Sequence, residues 1–235
     1  LTIATKNDIV TQLKKYNVAS VTPVVVDPET TSLVLTTTAK YDENATTKTR
    51  DTIKTDITDA LTVYNTNNLQ KFDGIFRYSK VIKAFDDADN SILSNITTLK
   101  MRKNFTPTLG SATTYNIYFR NAFYNPHSGH DATAGGILIS TGFKITGNTN
   151  EMFLNDDGEG NVRMYYLSGT TKVYQNNTQG TIDYANGTVT LTSLNIASIS
   201  NIRGSTSSVI ELTTTPKSND VVPVRDQIVE IDIAN

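Results

Sequence analysis

The chain has 235 residues, of which 37% are hydrophobic, with a formal net charge of −2 and no cysteine. Disulfides, thiolate nucleophiles and cysteine-based zinc sites are therefore excluded, and the charge leaves no basic footprint for nucleic acid. No apolar run approaches the roughly 18 residues of a membrane-spanning helix, so neither nucleic acid nor membrane is an expected partner.

The opening residues, Leu1-Thr2-Ile3-Ala4-Thr5-Lys6, show neither an initiator Met nor a signal-peptide pattern, and the chain reads as a piece of something longer. Residues 7–16 predict a short helix: Asn7 or Asp8 caps it, and Ile9, Val10 and Leu13 share a face. Two β-branched stretches, 18–26 and 32–41, flank the turn signal Asp27-Pro28-Glu29 and predict a hairpin. From Thr47 to Tyr64, the residues Ile53, Ile57, Ala60, Leu61 and Tyr64 form one stripe at helical spacing, and the cluster Asn65 to Asn68 ends it. A second helix over 75–87 places Ile75, Tyr78, Val81, Ile82 and Phe85 on one side, and 92–103 returns to a strand.

From 112 onward no helical pattern recurs. Strand candidates lie at 113–120, 136–146, 151–155, 161–167, 170–176, 181–184, 187–194, 207–214 and 221–233, separated by turn signals such as Asp157-Gly158 and Asn186-Gly187. The expected fold class is α+β: a small sheet with helices on one face, followed by an all-β sandwich-like domain. The expected organisation is an N-terminal helix over 1–17, a remnant of a longer chain; an α+β domain over 18–107 in the order β-β-α-α-β; and a β-sandwich-like domain over 108–235.

Catalytic signatures are absent. No nucleophile elbow, phosphate loop or dinucleotide fingerprint occurs, so no catalytic residue, metal or cofactor is assigned. His127 and His130, with Asp131, have a metal-like spacing but lack a helix and a third histidine, and read as a polar loop. Asn155 to Asn161 gathers carboxylates and glycines but lacks the distal Glu of a calcium loop, and reads as a hairpin loop. In the basic run at 100–103, Lys100 and Arg102 are expected on a solvent face with Met101 inward.

Around residues 115–124 both strand faces carry aromatics, so this strand is either central in a sheet or covered by another chain. Tyr118, Arg120, Phe123 and Tyr124 are the candidate interface, because interface cores favour Tyr, Phe and Arg. A structural turn motif is expected at Gly180, Asp183, Tyr184, Asn186 and Gly187. Asn186-Gly187 suits a two-residue type I′ turn, Asp183 can accept backbone N–H groups, and Tyr184 packs on the sheet.

The stretch Gly180-Thr181-Ile182-Asp183-Tyr184-Ala185-Asn186-Gly187-Thr188-Val189 resembles a Gly-x-hydrophobic-Asp-Tyr-x-x-Gly-x-Val segment of contractile-tail baseplate proteins. The segment from Pro216 through Asn219-Asp220-Val221-Val222-Pro223 to Asp232 is similar to the closing segment of the same family. With the order hairpin, two helices, strand and β-domain, nearly the whole chain resembles the C-terminal part of the baseplate wedge family of T-even-type phages, relatives of J-like baseplate proteins. The resemblance implies a non-enzymatic structural subunit of the virion, made in the host cytoplasm. It implies a homo-oligomer, with dimer contacts inside a ring of wedges around the central hub, meeting other wedge and hub proteins and rearranging on sheath contraction. The alternative from another class is a β-sandwich binding module, an adhesin or carbohydrate-binding tail protein, although the chain lacks the Trp that sugar platforms commonly use.

Overall fold

In a computed structural model, the described residues are 2–16, 22–25, 27–125, 136–224 and 226–233. They form α1 (Ile3–Lys14), β1 (Glu29–Tyr41), α2 (Arg50–Asn68), α3 (Tyr78–Asp86), β2 (Ile92–Phe105) and β3 (Ala112–Tyr118). There follow β4 (Ile139–Ser140), β5 (Phe143–Ile145), β6 (Met152–Asp156), β7 (Asn161–Ser168), β8 (Thr171–Asp183), β9 (Thr188–Ile199), β10 (Ile210–Thr214) and β11 (Gln227–Ile231).

The α+β expectation is corrected. The protein is mostly β, with 43% strand against 19% helix, and its centre is a closed five-strand barrel with extra strands attached. The strands run β11-β1-β2-β10-β4-β6-β5-β9-β8-β7, β3 also pairs with β9, and the β6–β7 pairing closes β5 to β9 into the barrel. Alternating polarity along a strand reports one buried face, which a sandwich and a barrel both provide. Closure depends on curvature instead, and β7–β8 carries register shifts at Val162/Met164 and Met164/Tyr165 that bend it.

Of the first strand of the predicted 18–41 hairpin, residues 18–21 and 26 lie outside the described residues. β1 pairs antiparallel with β2 and parallel with β11, a strand from the far end of the chain. Residues 22–25 carry no strand, and Pro23 there has no N–H to give a ladder. The strand forecasts 170–176 and 181–184 are one continuous strand, β8.

Thr49 caps α2 by accepting from Thr52 N at 3.2 Å. The helix continues past the expected stop because the Asn side chains find other partners: Asn68 Nδ2 donates to Tyr64 O at 3.0 Å. Asn65, buried in the last turn, donates from Nδ2 to Ile231 O at 3.4 Å and accepts from Ile231 N at 2.9 Å. It thus mimics a peptide group along the outer edge of β11. α3 starts later than its apolar stripe suggests, because Phe76 is drawn into a two-bond bridge with Val221. The Asp220 carboxylate then accepts from Tyr78 N at 2.9 Å and serves as a cap from a distant segment.

Ile53 and Tyr64 of α2 and Val81 and Phe85 of α3 are buried. The core continues through Leu33, Leu99 and Met101 into the barrel lining of Met152, Leu154, Val162, Met164, Ile182, Val189 and Leu191. The helices cover only part of a sheet that extends well beyond them.

Candidate interaction site

Asp183 ends β8 and Thr188 opposes it at the start of β9, so the connection is the four residues Tyr184, Ala185, Asn186 and Gly187. The two-residue type I′ turn is thereby corrected: Gly187 has φ +63° while Asn186 stays out of the positive-φ region. Asp183 Oδ1 accepts from Ala185 N and Asn186 N, both at 3.0 Å, and Oδ2 accepts from Asn186 Nδ2 at 2.7 Å. These bonds, led by the Asn186 side chain, hold the Asp183 carboxyl below its usual range. Gly187 is required for space as well as φ, since a Cβ there would stand 2.0 Å from Asn121 O. Gly180 meets a similar limit, its Cβ position lying 2.0 Å from Thr190 O on β9.

The turn grips the segment after β3. Gly187 O accepts from Phe119 N at 2.8 Å and Arg120 N at 3.3 Å, and Tyr184 O accepts from Phe123 N at 2.7 Å. The predicted turn motif and the predicted interface therefore meet through the backbone, a link that no residue spacing in the sequence announces. Below them, Asp156 at the end of β6 is fully buried. Its Oδ2 accepts from the Tyr184 hydroxyl at 2.6 Å and its Oδ1 from Leu138 N at 2.8 Å. Burial, and then the Asp156 carboxylate, push the Tyr184 phenol up. In the sequence Asp156 stands among the loop carboxylates of 155–161; the signal that separates it from Asp157 is its inward place at the end of β6.

Of the four candidate interface residues, Phe123 is corrected to a core residue: it is buried and meets Phe119 edge-on at 5.1 Å. Tyr118 and Tyr124 are exposed, at 44% and 49%. Tyr118 and Arg120 sit together, the guanidinium 5.7 Å from the ring centroid. Arg120 has φ +58°, a left-handed conformation uncommon for a residue other than glycine, and the paired Gly187 carbonyl holds it there. Its guanidinium donates to both oxygens of Glu29, from Nε at 3.0 Å and Nη2 at 3.3 Å. Lys103 Nζ lies 3.5 Å from the same carboxylate. The Arg120 bonds chiefly hold the Glu29 carboxyl below its usual range, whereas burial pushes the Lys103 ammonium down. Glu29, Lys103 and Tyr118 line a cavity of about 260 Å³ with Phe105 and Asn116. Tyr124 lines a separate one of about 400 Å³ with Phe123, Tyr184, Ala185 and Lys217.

The basic run also departs from expectation. Lys100 is exposed, but Arg102 is buried against Asp232 at 2.6 Å and Glu211 at 3.7 Å. Strand alternation fails to place Arg102 on solvent because β10 and the end of β11 close over it. Asp157 Oδ1 accepts from Glu159 N and Asn161 N within the β6–β7 hairpin loop. Burial acts against its ionised form, but the Asn161 side chain and these N–H groups hold its carboxyl below the usual value. His127 and His130 lie outside the described residues, and among the described residues no cluster of carboxylates could hold a metal.

Residues 33–104, from within β1 through both helices to the end of β2, match the model of a family described as baseplate structural protein gp6, C-terminal domain III. The chain is also similar to the baseplate wedge protein gp6 of Enterobacteria phage T4, with 29% identity over 119 residues. That alignment spans 49% of this chain and 18% of the relative, so most of the relative's length has no counterpart here. The family match falls on the strand–helix–helix–strand unit and not on the turn at 180–189. Residues 33–104 of this chain are thus similar to the C-terminal domain III of the T4-type baseplate wedge family.

Proposed function

We propose that this chain is a structural, non-catalytic subunit of a contractile-tail phage baseplate. In this reading it self-associates within a ring of wedges around the hub, contacts other baseplate proteins and shifts with them when the sheath contracts. The observation that carries the reading is the match of the β1–α2–α3–β2 unit to a baseplate structural domain, supported by the wedge-protein relative. The exposed pair Tyr118 and Arg120, with Tyr124 on the same anchored segment, is the proposed contact surface. Aromatic and Arg anchors on a braced backbone lose little entropy on docking.

Light scattering over a concentration series tests self-association. The expected result is a mass that rises with concentration, and a rise that is lost in a Tyr118→Ser, Tyr124→Ser double variant of unchanged fold. A monomer mass at every concentration up to the millimolar range contradicts it.

A further inference from the structure

We infer that Asn186 is a latent modification site: the folded turn withholds it from cyclisation with Gly187, and opening of the turn commits it to aspartate or isoaspartate. This inference does not rest on the baseplate assignment. Asn186-Gly187 is the one Asn-Gly pair in the sequence. In such a pair the glycine backbone nitrogen, unhindered by a side chain, can attack the preceding Asn Cγ. The new N–Cγ bond closes a succinimide as the Cγ–Nδ2 bond breaks, and the amide leaves as ammonia with the proton from the glycine nitrogen. Solvent water then opens the ring at either carbonyl, leaving aspartate or isoaspartate at 186.

The folded turn opposes the first step at both reacting groups. Asn186 N and Nδ2 donate to the Asp183 carboxylate at 3.0 and 2.7 Å, so the side-chain amide is turned back toward residue 183. Gly187 is held on its other side, where its carbonyl accepts from Phe119 N and Arg120 N. The backbone of Asn121 packs so closely on Gly187 that a Cβ would stand 2.0 Å from Asn121 O, which leaves the glycine no room to swing. Asn186 itself is exposed, so water and base have access and hydrogen bonds, not burial, supply the protection. Bonds of this kind in a surface turn open locally, without global unfolding.

The product no longer fits the turn. An aspartate at 186 sets its carboxylate against that of Asp183, which is held ionised. Isoaspartate lengthens the loop backbone by a methylene beside a glycine with no free space. Either change loosens the Tyr184 and Gly187 carbonyls that hold Phe123, Phe119 and Arg120.

The test incubates the whole chain at mildly alkaline pH, folded and in urea. Residue 186 is followed by peptide mass spectrometry with isoaspartyl methyltransferase labelling. The folded parent is expected to react about tenfold more slowly than the unfolded chain, or slower still. Asp183→Asn keeps the shape but replaces an acceptor oxygen with a donor, and should return most of the lost rate. Gly204→Ala, strained in the β9–β10 connection, should leave the rate at 186 unchanged. Equal rates in the folded and unfolded parent overturn the inference, as does an Asp183→Asn rate no higher than the parent's. A rise in Gly204→Ala equal to that in Asp183→Asn also overturns it, because the protection would then be global stability and not the turn.

Discussion

The Tyr184 hydroxyl donates to Asp156 Oδ2 across 2.6 Å, joining the β8–β9 turn to the buried end of β6. Through the carbonyls of Tyr184 and Gly187 the same turn fixes Phe119, Arg120 and Phe123, so the exposed aromatics are held by the barrel interior. Tyr184→Phe keeps the ring and removes the donor, leaving a buried carboxylate oxygen short of a partner. The expected loss is about 1–3 kcal/mol in urea unfolding. The phenol is raised in the folded state, so its contribution is complete below about pH 10, the ordinary tyrosine value, and is lost as pH rises past it. The parent should therefore lose more stability than Tyr184→Phe between pH 9 and 11.

Two glycines of similar backbone separate strain from space. Gly187 and Gly204 have φ of +63° and +80°, but only Gly187 has a neighbour where a Cβ would stand. Gly204→Ala is expected to cost about 1–2 kcal/mol, the left-handed penalty alone. Gly187→Ala should cost clearly more, because Asn121 must move, and should broaden the amide signals of residues 119–123.

Asn65→Leu keeps volume but leaves the Ile231 N–H and C=O without their side-chain partners. A loss of about 1–3 kcal/mol is expected, with hydrogen exchange at Ile231 accelerating more than at the β2 amides.

Around Glu29, the exposed half of the network should count for little. Glu29→Gln is expected to cost under about 1 kcal/mol, since the carboxylate and Arg120 are both partly solvated. The Glu29 carboxyl is depressed in the folded state. Its contribution is present above about pH 4.3 and fades as pH falls through the lower folded value. Lys103→Met should be neutral or slightly stabilising, because it removes a buried ammonium whose charged form burial disfavours and leaves Glu29 paired with Arg120.

Local periodicity was enough to locate α2, α3 and β2 as far as Met101, because each shows a buried stripe set by nearby residues. It failed where a partner comes from far along the chain. β1 takes β11 as a neighbour, Asp220 caps α3, and Arg102 turns inward to meet Asp232. The composition of the turn at 183–187 was legible, its length was not, and its grip on 119–123 depends on two carbonyls that no side-chain pattern encodes. Phe123 shows the same limit from the other side: an aromatic after a strand looks the same in sequence whether it faces solvent or, as here, Phe119.

The central claim, membership of a tail baseplate, is tested most directly by immunoelectron microscopy of intact virions that carry this gene, using antibody raised against the purified chain. Gold label at the distal end of the tail, retained when the sheath contracts, is the predicted result. Label on the head or along the sheath, or virions free of the chain by immunoblot, would contradict it.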